Sequence, residues 1–293
     1  MEDFIVAIVY LFFKIGVALF LFPYIYVFFV FFNILFLYAY RYFKVDSKGK
    51  TKEEYWGGAR KAIGVFWDVF GRIWHGYDIV GLENFPKDGP ALAIFYHAAM
   101  PVDMYFLSFR IYLKTGRMMH AIGDKFLFIL SIYNVFAECF NISTGSVESC
   151  VKILENGGVL CIAPGGTYEA QFGDENYELM WKNRLGFAKV AIEAKANVIP
   201  IFTENVREAY RQTTLFKRIW MSIYENTRFP FVPLYGGFPV KLKTHLGKPI
   251  KIKEFDTPES LRDRVAKEMR ELIKSNQRLP GSIPSALMDR FGS

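Results

Sequence analysis

The longest feature of the hydrophobic pattern is also the first. From Phe4 to Tyr40 the chain reads FIVAIVYLFFKIGVALFLFPYIYVFFVFFNILFLYAY, with Lys14 as its only formal charge. As one helix it would extend roughly 55 Å, beyond the ~30 Å hydrocarbon layer. Two arrangements satisfy that length: segments 4–21 and 22–40 hinged near Pro23, or one tilted span over 15–40 after an interfacial stub. A polar juncture follows at 46–56 (DSKGKTKEEYW). Ile63, Phe66, Trp67, Phe70, Ile73 and Trp74 then recur at three- and four-residue steps, which is one helical face. That helix, about 58–75, either lies in a membrane interface or packs on a core.

Beyond Gly81 short apolar runs alternate with helical periods. The runs are ALAIFYH (91–97), MMHAIG (118–123), VLCIAP (159–164), VIPIFTEN (198–205) and VKLKTHLGKPI (240–250). Helices are predicted around 103–114, 146–156 and 182–196. A last helix opens at DTPES (256–260), where Asp256 or Thr257 can cap and Pro258 fits the first turn. This alternation predicts an α/β domain with a mostly buried sheet flanked by helices. The internal proline of VIPIFTEN predicts a bulged or edge strand.

Composition sharpens the picture at four points. The 293 residues are 52% hydrophobic and 18% aromatic with net charge +7, which suits an anionic lipid surface or a phosphorylated substrate. The acidic start (Glu2, Asp3) and the length of the apolar run argue against a cleaved signal peptide. Arg41, Lys44, Lys48 and Lys50 follow that run and place the remainder on the cytosolic side. Cys139, Cys150 and Cys161 have no metal-ligand spacing and read as reduced thiols.

Four histidines are candidates for proton chemistry. His75 has Asp78 nearby, His120 has Asp124, and His245 has no acid close in sequence. His97 ends a buried-strand signal, and Pro101 then starts a helix whose first turn holds Asp103. Ligands of α/β sheets bind at the carboxyl ends of strands, which favours His97 as a general base with Asp103 as its partner. The second candidate is the turn APGGTYE (163–169), where Gly165 and Gly166 let backbone approach a ligand, although a bare Gly-Gly is also an ordinary turn. Arg207, Arg211, Lys217 and Arg218 could meet anionic lipid or coenzyme A phosphates, or form a solvated face. No G-x-S-x-G elbow or GK[ST] loop occurs, so a lipase and a P-loop nucleotide hydrolase are disfavoured. Nucleic-acid binding rests on net charge alone, which is too little.

In this order, HAAMPVD (97–103), PGGT (164–167) and VIP (198–200) resemble the conserved blocks of the glycerolipid acyltransferase superfamily, the PlsC-like family of glycerol-phosphate and lysophospholipid acyltransferases. The likeness covers about 78–250. Longer stretches, including PGGTYEAQFGDENYELMWKNRLGFAKVAIEAK (164–195) and QRLPGSIPSALMDRF (277–291), resemble a group of animal membrane acyltransferases that make triacylglycerol. The resemblance implies a PlsC-like fold at 46–293 behind a membrane anchor at 1–45. It implies His97 and Asp103 as catalytic residues and Pro164, Gly165, Gly166, Thr167 and Glu169 as the acceptor or oxyanion loop, with Pro200 and Arg207 supporting. No metal or cofactor is implied; acyl-coenzyme A is the expected co-substrate.

Two departures matter. The His–Asp interval is one residue longer than in the broad superfamily. Tyr168 stands where phosphate-accepting members carry arginine, which favours a neutral acceptor, mono- or diacylglycerol. The expected function is therefore storage-lipid synthesis at the endoplasmic reticulum membrane, with the catalytic domain facing the cytosol. Lysophospholipid or glycerol-phosphate acylation, and non-catalytic lipid binding, are the alternatives.

Overall fold

The structure, a computed structural model, describes residues 2–44 and 49–292; the part of the expected juncture at 46–48, with Lys48, lies outside them, as do the side chains of Glu2 and Asp3. The apolar run forms two helices, α1 (Glu2–Leu21) and α2 (Pro23–Phe43). They divide at Phe22 because Pro23 lacks the N–H that would continue the ladder and suits a first turn. This matches the hinged alternative in its boundaries. The stretch Val6–Phe43 is long and apolar enough to cross a membrane and is little covered by protein. The two helices differ in that cover: α1 leaves Phe4, Phe12 and Phe13 exposed, whereas α2 buries Tyr26, Ile34 and Leu37.

Helix α3 (Lys52–His75) opens on a capping box between Thr51 and Glu54 and closes on Gly76 in the left-handed region. Its aromatic stripe is covered by protein rather than left for an interface. Trp67 meets Phe29 of α2 at 6.4 Å and Tyr105 of the following helix at 5.4 Å between ring centroids. Only toward the end of the stripe does Ile73 emerge.

The chain then lays down β1 (Asp78–Val80), β2 (Ala91–Phe95), α4 (Val102–Thr115), β3 (His120–Ile122), α5 (Asn134–Cys139), β4 (Ile142–Ser143), α6 (Val147–Glu155) and β5 (Val159–Ile162). It continues through α7 (Gly166–Phe172), α8 (Gly186–Glu193), β6 (Val198–Glu204), α9 (Val206–Ala209) and β7 (Tyr210–Gln212). The last elements are α10 (Lys217–Thr227), β8 (Leu234–Gly236), β9 (Lys243–Leu246), α11 (Pro258–Asn276) and α12 (Ile283–Phe291). Seven strands form a mixed sheet in the order β1-β9-β6-β2-β5-β3-β4, and β7 pairs with β8 separately. Within the large sheet only the β6–β9 pair is antiparallel.

Strand β2 is buried along its whole length, which is why it reads as an unbroken apolar run. Ala91, Ala93 and Phe95 cluster with Met104, Leu107 and Ile111 of α4. Leu92 and Ile94 share the other core with Leu154 of α6, Ala188 of α8 and Val265 and Met269 of α11. Because β2, β3, β5 and β6 are mutually parallel, their carboxyl ends open on one edge, and the turns after them gather there.

Of the two alternatives for the proline strand, the edge fails and the bulge holds: the pairing slips by one residue beside it, from Ile201 opposite Leu246 to Val198 opposite Ile250. Pro200 lies in β6, between β2 and β9, and not at a sheet edge. The proline is tolerated because its carbonyl accepts from Gly247, just past the last β9 residue, so the side lacking an N–H falls where that ladder ends. Gly247 suits the site, since a Cβ there would lie 2.7 Å from the Pro200 ring.

Candidate active site

His97 leaves the carboxyl end of β2 half-buried. Its backbone N–H donates to Glu169 Oε2 at 3.0 Å, and its Nδ1 lies 2.8 Å from the Ala98 carbonyl. A carbonyl only accepts, so Nδ1 carries the proton and Nε2 keeps its lone pair. Nε2 has no hydrogen-bond partner among the described residues. Burial lowers the imidazole pKa to about 4; the Ala98 carbonyl works against this, Arg207 adds to it, and Asp124 opposes it. At neutral pH the ring is thus an uncharged base with an open nitrogen.

Asp103 does not make the expected bond to His97. The six-residue interval carries it round the first turn of α4 toward β6, where Thr203 and the N–H groups of Met104 and of Asp103 itself serve the carboxylate. Thr203 Oγ1 is 2.8 Å from Thr244 Oγ1, which is 2.8 Å from the Tyr77 hydroxyl. Asp103 Oδ1 remains buried without a partner. Burial raises this acid to about 6 despite those bonds. The acid whose charge reaches His97 is Asp124, from the turn after β3.

The PGGT turn follows β5 and opens α7. A Cβ on Gly165 would lie 2.3 Å from the Glu169 carboxyl carbon, so glycine is needed there to seat that side chain. Gly166 has φ +50°, and a Cβ on it would meet Arg184 Nη1 at 2.7 Å. Its N–H is committed to the Ala163 carbonyl at 3.0 Å, so it does not point at a ligand as the sequence suggested. Pro164 accepts from Arg184 Nη1 at 2.9 Å, and Thr167 Oγ1 donates to Asp124 Oδ2 at 2.6 Å. Fully buried Glu169 accepts from the N–H groups of His97 and of Met180, the latter at 2.8 Å. It braces the loop against the β2 end. Burial raises its pKa to about 7, against the pull of those two N–H groups and of Arg207 and Arg184.

Arg207 corrects a further expectation. It is almost wholly buried, and it donates to the carbonyls of His97 (3.2 Å), Glu169 (2.7 Å) and Gly173 (2.9 Å) and to the Tyr96 hydroxyl. A guanidinium so occupied ties β2, α7 and α9 together and offers nothing to a phosphate. Arg211 is likewise held by Glu208 and the Gly281 carbonyl, both at 2.9 Å. His245, given no acid by its sequence neighbours, has Glu204 Oε2 3.5 Å from Nε2 across the β6–β9 pair.

The sequence reading missed Arg184 and the approach of Asp124 to Thr167. The WKNRLG stretch gave no signal for the first, because the turn after α7 brings it back. Tyr168 packs against Phe172 and Tyr224, with Lys182 Nζ 3.6 Å from its ring centre.

A neutral imidazole stands at the carboxyl edge of a mixed α/β sheet, fixed by its own backbone and with an Nε2 lone pair able to accept a proton. Comparison with known proteins gives the class of reaction for the chain as a whole. The family model named Acyltransferase matches residues 77–204, which include His97, Asp103 and the whole PGGT turn. The chain is 44% identical over 251 residues to a Homo sapiens protein called "DGAT1/2-independent enzyme synthesizing storage lipids", covering 83% of this chain and 76% of that one. It is 45% identical to the Mus musculus protein of that name, covering 83% and 75%. The chain belongs to the acyltransferase family and is an acyltransferase. The crystal structure of the 1-acyl-sn-glycerophosphate (LPA) acyltransferase PlsC from Thermotoga maritima has the same fold, with a TM-score of 0.56 at 15% identity over 88% of this chain and 96% of that one.

Proposed function

We propose that this enzyme moves a fatty acyl group from acyl-coenzyme A to a hydroxyl of mono- or diacylglycerol, making storage lipid. His97 Nε2 takes the hydroxyl proton as the oxygen attacks the thioester carbonyl. The tetrahedral oxyanion collapses, the carbon–sulfur bond breaks, and the departing thiolate takes the proton back from the imidazolium. The Nδ1–H bond to Ala98 holds the ring, and the nearby Asp124 carboxylate favours its transient charge. Asp103 acts at one remove, anchoring the start of α4 to β6 through Thr203. We place the enzyme in the endoplasmic reticulum membrane through α1 and α2, with the catalytic domain on the cytosolic side.

The observation that carries the chemistry is the open, uncharged Nε2; kinship with storage-lipid enzymes carries the choice of acceptor. Tyr168 no longer does, because Arg184 brings a guanidinium to the same loop. That guanidinium favours a second reading, a lysophospholipid acceptor. A panel of neutral and phosphorylated acceptors on the purified full-length protein separates the two. Preference for diacylglycerol over lysophosphatidic acid supports the first, and the reverse order overturns it. Loss of transfer in His97→Ala, with the protein still in the membrane fraction, supports the base; retained activity removes it.

A further inference from the structure

The surface beside the proposed site is as apolar as a membrane-facing helix, although it belongs to the catalytic domain. Leu215 and Phe216 are each 68% exposed, with Ile219 and Phe231 open beside them on the excursion between β7 and β8. Ile129 (66%) and Leu130 (67%) are exposed on the loop after β3. The two flanks meet where the Phe126 and Phe229 rings lie 5.7 Å apart. Phe216 is held at φ +59°, a region that a bulky side chain rarely adopts. For a water-soluble surface that strain and exposure have no return.

Both flanks are fastened to the loop that braces His97. Asp124, at the start of the first flank, accepts from Thr167. Tyr224 of α10 packs on Phe172 at 5.7 Å and on Tyr168. Cations border the apolar residues: Lys125 on one flank and Lys217, Arg218 and Arg228 on the other, against Asp124 and Glu225. Half-buried Trp220 stands among them, and interfacial tryptophan with basic residues marks a bilayer boundary. The excursion also springs from the strand pair on which α1 rests, with Phe20 and Tyr235 rings 6.0 Å apart. The apolar surface of α1 and this patch therefore adjoin one strand.

We infer that loop 125–133 and the α10 excursion (213–233) form a second membrane-docking surface, distinct from α1 and α2, that seats the mouth of the site on an anionic bilayer. Its partner is the lipid surface itself. The orientation argument rests on His97 marking the site; the insertion of the patch does not.

All three native cysteines are buried, so an introduced one can be labelled selectively. Full-length Phe216→Cys and Leu130→Cys proteins, carrying an environment-sensitive dye, are reconstituted in phosphatidylcholine vesicles with and without phosphatidylserine. Glu193→Cys, before the amino end of β6, is the far-side control. Quenching of the first two dyes by nitroxides on acyl chains, stronger with phosphatidylserine, with the control quenched only by aqueous reagent, is the expected result. Dyes at 130 and 216 that stay water-accessible, or that are shielded by crosslinking to a second copy, overturn the inference. Repeating the measurement in His97→Ala keeps it readable if the catalytic reading fails. Kinetically, Leu215→Ser/Phe216→Ser/Ile219→Ser raises the apparent KM for vesicle-borne acceptor roughly tenfold and leaves turnover of a detergent-dispersed, short-chain acceptor unchanged. Equal loss in both assays would mean that the patch only supports the fold.

Discussion

Two buried carboxylates lie on either side of His97's strand, and the protein treats them in opposite ways. Glu169 spends both oxygens on backbone N–H groups, one of them that of His97 itself. Asp103 is turned to a side-chain hydroxyl, Thr203, and leaves one oxygen unpartnered. Burial raises both acids, Glu169 to about 7 and Asp103 to about 6. The first fixes where the imidazole stands; the second fixes the first turn of α4, which starts five residues after His97. The comparison teaches that an acid can matter to a histidine by holding its peptide unit rather than its ring.

The largest test of that division is His97→Ala, for which kcat should fall about 10²- to 10⁴-fold, the usual contribution of a positioned base. The wild-type acid limb adds to it. On the proposed mechanism activity needs the neutral ring, which is present above about pH 4 and lost below it. A limb near pH 6 that disappears in Asp103→Asn would show that Asp103 does act on the imidazole. Next comes Arg207→Met, which removes the donor shared by the His97, Glu169 and Gly173 carbonyls and leaves Glu169 without its buried counter-charge. A loss of about 3–5 kcal/mol in denaturant unfolding is expected. Arg207→Lys should not restore it, because an ammonium lacks the planar fork.

Glu169→Gln sharpens the comparison through pH. The folded acid titrates near 7, above the ordinary 4.5, so its contribution to stability is full below pH 4.5 and is lost as pH rises through 7. Relative to Glu169→Gln, the wild type should lose up to ~3 kcal/mol between those limits, read from denaturation at the two pH values. A parallel pair of stability curves would refute the buried-acid account. The smallest effect is Thr203→Val, which deletes the hydroxyl serving Asp103. Asp103 should then titrate still higher, and stability should fall by about 1 kcal/mol in the same unfolding assay.

Much of the scaffold was legible because it follows from near neighbours along the chain. The apolar run and Pro23 specified two helices, since a peptide nitrogen without a proton interrupts a ladder wherever it occurs. The unbroken ALAIF run marked a strand covered on both faces, and Thr257 with Pro258 marked the start of α11. His97 could be placed at a strand end for the same reason. Contacts across the fold were not legible. Spacing paired His97 with Asp103, but the turn of α4 gave Asp103 to Thr203, far along the chain on β6. Basic clustering left Arg207 facing either a ligand or solvent, whereas the His97 carbonyl after β2 and the Glu169 and Gly173 carbonyls of α7 and its end enclose it. Pro200 suggested a bulged or an edge strand, and only the register against the chain after β9 decided for the bulge. Local covalent geometry and periodicity are carried by the chain wherever it goes. Which buried polar group meets which depends on strand order and register, and those are settled only when the whole sheet assembles.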